Sequence, residues 1–256
     1  MNRIVKSLVV VIFCFVGHLT IAQETIKTIQ ERGKIILGTS GQQDPFTFTN
    51  EEGTLSGIDI EIAENLASSM GVELFIKEVE FPKLLEELRA GNVDFVMSGM
   101  SMKIDRNLEF AFAGPYMKTD KAILTNAKVL KKSEKDKVNQ PGIKLVTLRN
   151  STSEKMVLRH YPNATLTLVD GVDMALEKLR TNEADGFVGD FETCVQSALL
   201  VENLEVMYIQ DIEVYDPLGI AINSNDMLFL NLLQNYLEAV EGSGFMKQLV
   251  KKYFGE

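Results

Sequence analysis

The chain has 256 residues, of which 45% are hydrophobic and 24% charged, with a formal net charge of −10 at pH 7. That length and balance support one large domain or two lobes with cores of their own and exclude a disordered chain. The acidic excess excludes a nucleic-acid or anionic-membrane partner, since both need a basic face.

In chain order, Arg3 and Lys6 precede the apolar run Leu8 to Val16, and Thr20-Ile21-Ala22 places small residues before Gln23. This is the pattern of a secretory signal peptide over residues 1–22, and the apolar stretch falls short of the ~20 residues a membrane anchor needs. Cys14 lies inside the apolar stretch rather than after a small-residue lipobox, so no lipid anchor is expected. Cleavage removes Arg3 and Lys6 and takes the net charge from −10 to −12. It leaves Cys194 and His160 as the last residues of their kinds, which excludes an intrachain disulfide and a zinc site built on several histidines. A triad on His160 has no nucleophile motif to support it.

Lys34 to Gly38 reads as a strand, Ile62, Ala63, Leu66, Ala67 and Met70 recur at helical spacing, and Leu74 to Val79 returns as a strand. Leu84, Leu85 and Leu88 mark a second helix leading into the apolar strand Val93 to Met97, which ends at the small-residue turn Ser98-Gly99-Met100-Ser101. Such alternation predicts a parallel, helix-covered sheet, whose ligands lie beyond the carboxyl ends of the strands. The turn is therefore expected to offer backbone N–H groups and the Ser101 hydroxyl to a ligand. Arg106 follows it and suits a carboxylate through paired charge-assisted hydrogen bonds, or else pairs on the surface with Asp105 or Glu109. The lysines from Lys131 to Lys137 are interleaved with acids and read as a solvated loop. A second set of elements begins with a strand at Lys144 to Leu148, then a helix near Glu154 to His160 and a strand at Thr165 to Val169. A helix from Val172 to Arg180 and a strand at Gly186 to Val188 complete it. Leu88-Arg89 before Asp94 and Leu179-Arg180 before Asp185 repeat one interval; Gly99 and Asp190 each stand five residues past their aspartate. That repetition is either coincidence or the mark of two equivalent lobes. Leu230, Leu233, Tyr236, Leu237 and Val240 give a C-terminal amphipathic helix.

Gly99, Ser101, Arg106 and Phe112-Ala-Gly-Pro115-Tyr116, in this order, resemble the bacterial periplasmic solute-binding proteins of the polar amino-acid uptake family, family 3. The likeness runs through nearly all of the chain after residue 23. It takes in Gly57-Ile-Asp-Ile-Glu-Ile62, Phe81-Pro-Lys-Leu-Leu85, Ala90-Gly-Asn-Val-Asp94, Ala184-Asp-Gly-Phe-Val-Gly-Asp190, Leu218-Gly-Ile-Ala-Ile222 and Lys252-Tyr-Phe-Gly255. The resemblance implies an α/β periplasmic-binding-protein fold of two lobes, each a helix-covered mostly parallel sheet, joined by hinge strands near Met117 to Leu124 and Tyr215 to Asn223. Lobe 1 would comprise 23–118 plus 216–256, and lobe 2 would comprise 119–215.

It also implies a monomeric periplasmic receptor, with no cofactor or metal, that closes on an amino acid and passes it to a membrane ABC permease. Arg106 would take the carboxylate and Asp190 the ammonium, because each terminus of a zwitterion needs a partner once desolvated. Asp190 also reads as a helix N-cap. Ser151 and Thr152 open a helix where the family often has Gly-Thr, so they cap it, contact the carboxylate, or both. Phe81 matches an aromatic that packs on ligand side chains in the family and reads equally as a core residue. Ser40 and Gln43 stand where relatives that bind glutamine or cationic amino acids carry an acid and an aromatic. Asp44 either replaces that acid from a shifted position or belongs to an exposed turn before Pro45.

Cyclohexadienyl dehydratases resemble the same family, and Asn139-Gln-Pro-Gly142 with Ser153-Glu-Lys155 is somewhat similar to them. Those enzymes use a glutamate three residues after the position of Asp190, where this chain has Thr193; Glu192 stands one step and about 100° around a helix from it. Dehydratase activity is thus the alternative reading, and a sensor or lytic-enzyme module would need further domains.

Overall fold

The structure, a computed structural model, describes residues 24–131, 133–201, 203–209 and 216–255. The expected signal peptide and Tyr215 lie outside the described residues. Helix α1 (Glu24–Arg32) leads into β1 (Lys34–Thr39), followed by the small β2 (Gln42–Gln43), β3 (Thr47–Thr49) and β4 (Leu55–Ser56). Helix α2 (Ile58–Met70) buries Ile58, Ile62, Ala63 and Leu66. It ends at Gly71, whose φ of 68° is a left-handed cap that glycine adopts without strain. Strand β5 (Glu73–Glu78), α3 (Leu84–Arg89), β6 (Phe95–Val96), α4 (Ile104–Asn107) and β7 (Phe110–Thr119) complete this part, and β8 (Lys121–Asn126) begins the next.

The second set is β9 (Lys144–Leu148), α5 (Thr152–His160), β10 (Thr165–Val169), α6 (Val172–Arg180), β11 (Gly186–Asp190), α7 (Phe191–Leu200) and β12 (Leu204–Tyr208). Strand β13 (Asp216–Asn223) then returns to the first sheet, and α8 (Met227–Gly242) and α9 (Phe245–Phe254) pack there. No described helix is long and apolar enough to cross a membrane.

Two five-stranded sheets result, ordered β5-β1-β6-β13-β7 and β10-β9-β11-β8-β12. In each, four strands run in one direction and a single strand, β13 in the first and β8 in the second, runs against them. The parallel part is the one that β-α-β spacing announces. The one reversed strand of each sheet adjoins a chain crossing, as the mostly parallel sheets with hinge strands of the expected fold allow. Asp216 pairs with Thr119, so the two crossing segments run side by side. Two cores flank the first and second sheets, and a third joins Phe81 and Leu84 on one side to Val146 and Phe187 on the other.

The repeated aspartates have one job in both sheets. Asp94 Oδ2 accepts the Ile36 N–H at 2.6 Å, and Asp185 Oδ2 accepts the Lys144 N–H at 2.8 Å, so each pins the neighbouring parallel strand. Asn223 and Asn126, ending their antiparallel strands, likewise donate to the Leu88 and Leu179 carbonyls at 2.9 Å and 3.4 Å. The internal correspondence is therefore structural, and it sets Gly99 and Asp190 at equivalent strand ends.

Candidate functional site

Between the two sheets lies a small cavity with about 20 Å³ of water-accessible volume. Gly99, Ser101 and Phe81 reach it from the first sheet's side, and Ser151, Thr152 and Asp190 from the second's. Six of the eight expected contacts thus share one cavity.

Arg106 is not on its lining. It borders an adjoining cavity with Asn150 and Lys155, and Phe81 forms the wall common to both. Its guanidinium lies 6.0 Å from the Phe81 ring centroid and bridges the sheets, donating to the carbonyls of Ser101 at 2.8 Å and Asn150 at 3.0 Å. Burial lowers its pKa, and Asp216, Asp105 and Asp190 oppose that shift. The surface pairing is excluded: Asp105 is bonded by Lys155 across the cleft and Glu109 by Arg89.

Ser40 is a correction. Its Oγ is held 2.7 Å from Ser98 Oγ, and its N–H donates to the same oxygen at 3.1 Å, so it braces β1 against the turn and does not line the cavity. Gln43, placed as a departure from the family pattern, does line it. Gly99 lines the cavity, and only the expected free N–H there is corrected. Its φ of 56° makes the turn, but its N–H is consumed by Asp59 Oδ2 at 2.7 Å, leaving no free donor there for a ligand. Asp59 also accepts from Tyr116 Oη at 2.7 Å, which ties the Pro115-Tyr116 motif to the same turn. Burial raises the Asp59 carboxyl to about 7 against both hydrogen bonds.

Ser151 takes the expected capping role, and Thr152 does not. Ser151 Oγ accepts the Glu154 N–H at 3.1 Å and donates to the Leu148 carbonyl at 2.6 Å, so it caps α5. Thr152 Oγ1 donates to Asp216 Oδ2 at 3.0 Å and lies 3.4 Å from Ser101 Oγ, across the cleft. Asp190 precedes α7 but makes no side-chain cap. Its carboxylate is taken by Lys121, its register partner on β8.

Lys121 is the residue that sequence reading missed. Only 2% exposed, it bonds Asp190 Oδ1 and lies 2.6 Å from Asp216 Oδ2, while Lys103 sits 3.1 Å from Asp216 Oδ1. Burial works to lower the Lys121 pKa, and the two carboxylates more than reverse it. Burial likewise raises Asp190 against the pull of Lys121. At Asp216 the order is overturned: burial would raise the carboxyl, yet Lys121 and Lys103 hold it at about 2. A lysine opening the apolar run Ala122-Ile-Leu124 is the one signal in the sequence, and only the strand register gives it meaning.

Residues 35–256 match the family described as bacterial extracellular solute-binding proteins, family 3. The chain belongs to that family. Among its relatives is a cyclohexadienyl dehydratase of Pseudomonas aeruginosa, 25% identical over 91% of this chain and 87% of that protein. A probable histidine-binding protein of Campylobacter jejuni is 24% identical over 97% and 98%, and the ABC transporter arginine-binding protein 1 of Escherichia coli is 25% identical over 86% and 90%. Most of the similar proteins are binding proteins rather than enzymes. An ancestral amino acid-binding protein, a precursor of cyclohexadienyl dehydratase, superimposes with a TM-score of 0.81 at 27% identity over 90% of this chain and 99% of its own. This family 3 solute-binding protein therefore has the expected two-lobed fold.

Within it, Thr193 lines the cavity with its Oγ1 buried and without a hydrogen-bond partner among the described residues. Glu192 turns away and is bonded by Thr119 Oγ1; burial raises its carboxyl to about 7. The one described cysteine, Cys194, is fully buried against the Ala122 carbonyl, and burial pushes its thiol up, so it is packing material.

Proposed function

We propose that the protein captures an amino acid between its lobes and delivers it to an ABC importer, without catalysis. The observation that carries this reading is the convergence of Ser101, Thr152 and Asp190 from opposite sheets on one cavity, with Arg106 bridging the lobes at its edge. Arg106 supplies the carboxylate anchor: a guanidinium has five donors, and two are spent on carbonyls. Asp190 receives the ammonium beside Lys121, and Ser101 and Thr152 orient the bound molecule. The lobes divide as 23–118 with 216–256, and 119–215, hinging where β7 passes into β8 and where β13 begins. Closure then consists of the contacts seen across the cleft, namely Arg106 to Asn150, Thr152 to Ser101 and Lys155 to Asp105.

A non-enzymatic role is supported by Thr193, which puts a hydroxyl where the dehydratases place a glutamate, and by the orientation of Glu192 toward the hinge. Cleavage of residues 1–22, an extracytoplasmic location and a monomeric state complete the proposal. The net charge of −12 after cleavage speaks against nucleic acid.

The test is a thermal-shift screen of the mature chain against the proteinogenic amino acids. At 100 times its Kd a ligand adds roughly 2.7 kcal/mol of stability. At least one amino acid should do so, and turnover of prephenate or arogenate by the purified chain would refute the non-catalytic assignment.

A further inference from the structure

Resting on that reading, we infer that Gln43 and Thr193 select the captured amino acid by its side chain, and that this side chain carries an oxygen able to accept hydrogen bonds, as in an amide, a hydroxyl or a carboxylate.

Gln43 lies on β2 in register with Thr47 and is only 5% exposed. Its amide oxygen accepts from Ser98 Oγ at 3.0 Å, with Ser40 Oγ 3.5 Å away. Ser98 Oγ is itself held by the N–H and the hydroxyl of Ser40. These bonds turn the oxygen end of the amide toward the two serines. The nitrogen end lies beside Gly99 and makes no hydrogen bond among the described residues. Because Gln43 lines the cavity, its two amide N–H groups are donors left for a bound molecule.

Thr193 reaches the same cavity from the other lobe, in the first turn of α7. A helical threonine can spend its hydroxyl on a carbonyl three or four residues back. Thr193, 2% exposed, does not: its Oγ1 has no partner among the described residues. Other hydroxyls of the wall are spent within the protein, Thr147 on the Val188 carbonyl at 2.7 Å and Ser151 on the Leu148 carbonyl at 2.6 Å. Buried polar groups are nearly always hydrogen-bonded, because an unpaired one forfeits its hydration without return. Two groups on facing lobes therefore stand unspent in one cavity.

They set the class of side chain. An alkyl group enclosed there leaves both unpaired. An ammonium or guanidinium brings donors to an amide nitrogen that is itself only a donor. An oxygen accepts from Gln43 Nε2 and from Thr193 Oγ1, and a site built to hydrogen-bond a group penalises strongly the analogue that lacks it.

Isothermal titration of the purified chain with each proteinogenic amino acid tests the inference. We expect the tightest binder to bear a side-chain oxygen and to exceed every amino acid without one at least about tenfold; the amides, hydroxyl and acidic amino acids in the set show which kind of oxygen is preferred. In Gln43→Met, which keeps the length of the side chain and removes its donors, the affinity ratio between that binder and the tightest amino acid without a side-chain oxygen should fall at least about tenfold. A smaller fall overturns the role of Gln43 and the inference with it. If the variant does not fold by circular dichroism, the wild-type ranking alone decides. An apolar or cationic amino acid binding within tenfold of the best oxygen-bearing one overturns the inference while leaving amino-acid capture intact. Silence across all the proteinogenic amino acids overturns the capture reading itself, and this inference with it.

Discussion

Replacing Lys121 by Met keeps most of the side chain's volume and removes only its charge, so the electrostatic role of the lysine can be weighed apart from packing. Lys121 is 2% exposed and holds Asp190 together with Asp216, the latter at 2.6 Å. Removing one partner of a buried ion pair costs about 3–5 kcal/mol, because the other charge is left uncompensated. The methionine places two carboxylates in this position, with Lys103 relieving Asp216 alone. The expected loss at pH 7 therefore lies at the upper end of that range, read by urea unfolding with circular dichroism.

The pH dependence makes the prediction specific. In the wild type Asp216 is held at about 2, below its unfolded value near 3.9, so its contribution is present above pH ~4 and is lost as pH falls toward 2. In Lys121→Met both carboxyls lie above their unfolded values, the native state binds more protons, and stability falls as pH rises through that window. The gap between variant and wild type should accordingly be widest at pH 7 and shrink toward pH 3.5. Lys121→Met/Asp190→Asn should recover part of it through the coupling of the pair. A loss under about 1 kcal/mol at pH 7, or a gap that does not vary with pH, would refute this account of the site.

Three further outcomes follow from particular contacts. Asp59, raised to about 7 by burial, is protonated in the native state while the unfolded chain is already ionised, so it erodes stability as pH climbs from about 4 to about 7. At ~1.4 kcal/mol per unit this amounts to at most about 4 kcal/mol, and Asp59→Asn should flatten that slope in unfolding curves taken across the window. Thr193→Val removes a buried, unpartnered hydroxyl, which should raise stability by up to about 1 kcal/mol in urea while weakening amino-acid affinity in titration. Gly57→Ala forces a side chain onto a φ of 128°, with its Cβ 2.3 Å from the Phe46 carbonyl oxygen. It should cost at least about 3 kcal/mol or prevent folding, as thermal denaturation would reveal.

Much of this molecule is written in local patterns. The parallel strands β1, β5 and β6 and β9, β10 and β11 come from apolar runs punctuated by helical spacing, and the Asp94 and Asp185 interval carried the equivalence of the two halves before either bond was visible. The small strands β2 to β4 escaped notice because Gln42-Gln43 and Leu55-Ser56 are too short to show alternation. Strand β12, Leu204–Tyr208, was missed too; it is partly exposed and pairs only with β8. At the site, residue types and order pointed to Asp190, Ser101 and Thr152, which line one cavity. They did not suffice for Ser40, whose hydroxyl is spent on Ser98, nor for Lys121 and Asp216, which lie 95 residues apart in the chain and meet only through strand pairing. Long-range register decides which charges face one another, and no window of sequence contains it.

The most direct measurement is amino-acid binding by the mature chain beside Arg106→Ala and Asp190→Ala, titrated calorimetrically under identical conditions. Binding of one equivalent by the wild type, with heat lost in both variants while their folds persist by circular dichroism, is the result predicted here. Undiminished affinity in either variant, or a wild type that takes up no amino acid, would contradict capture between a guanidinium and a carboxylate on facing lobes.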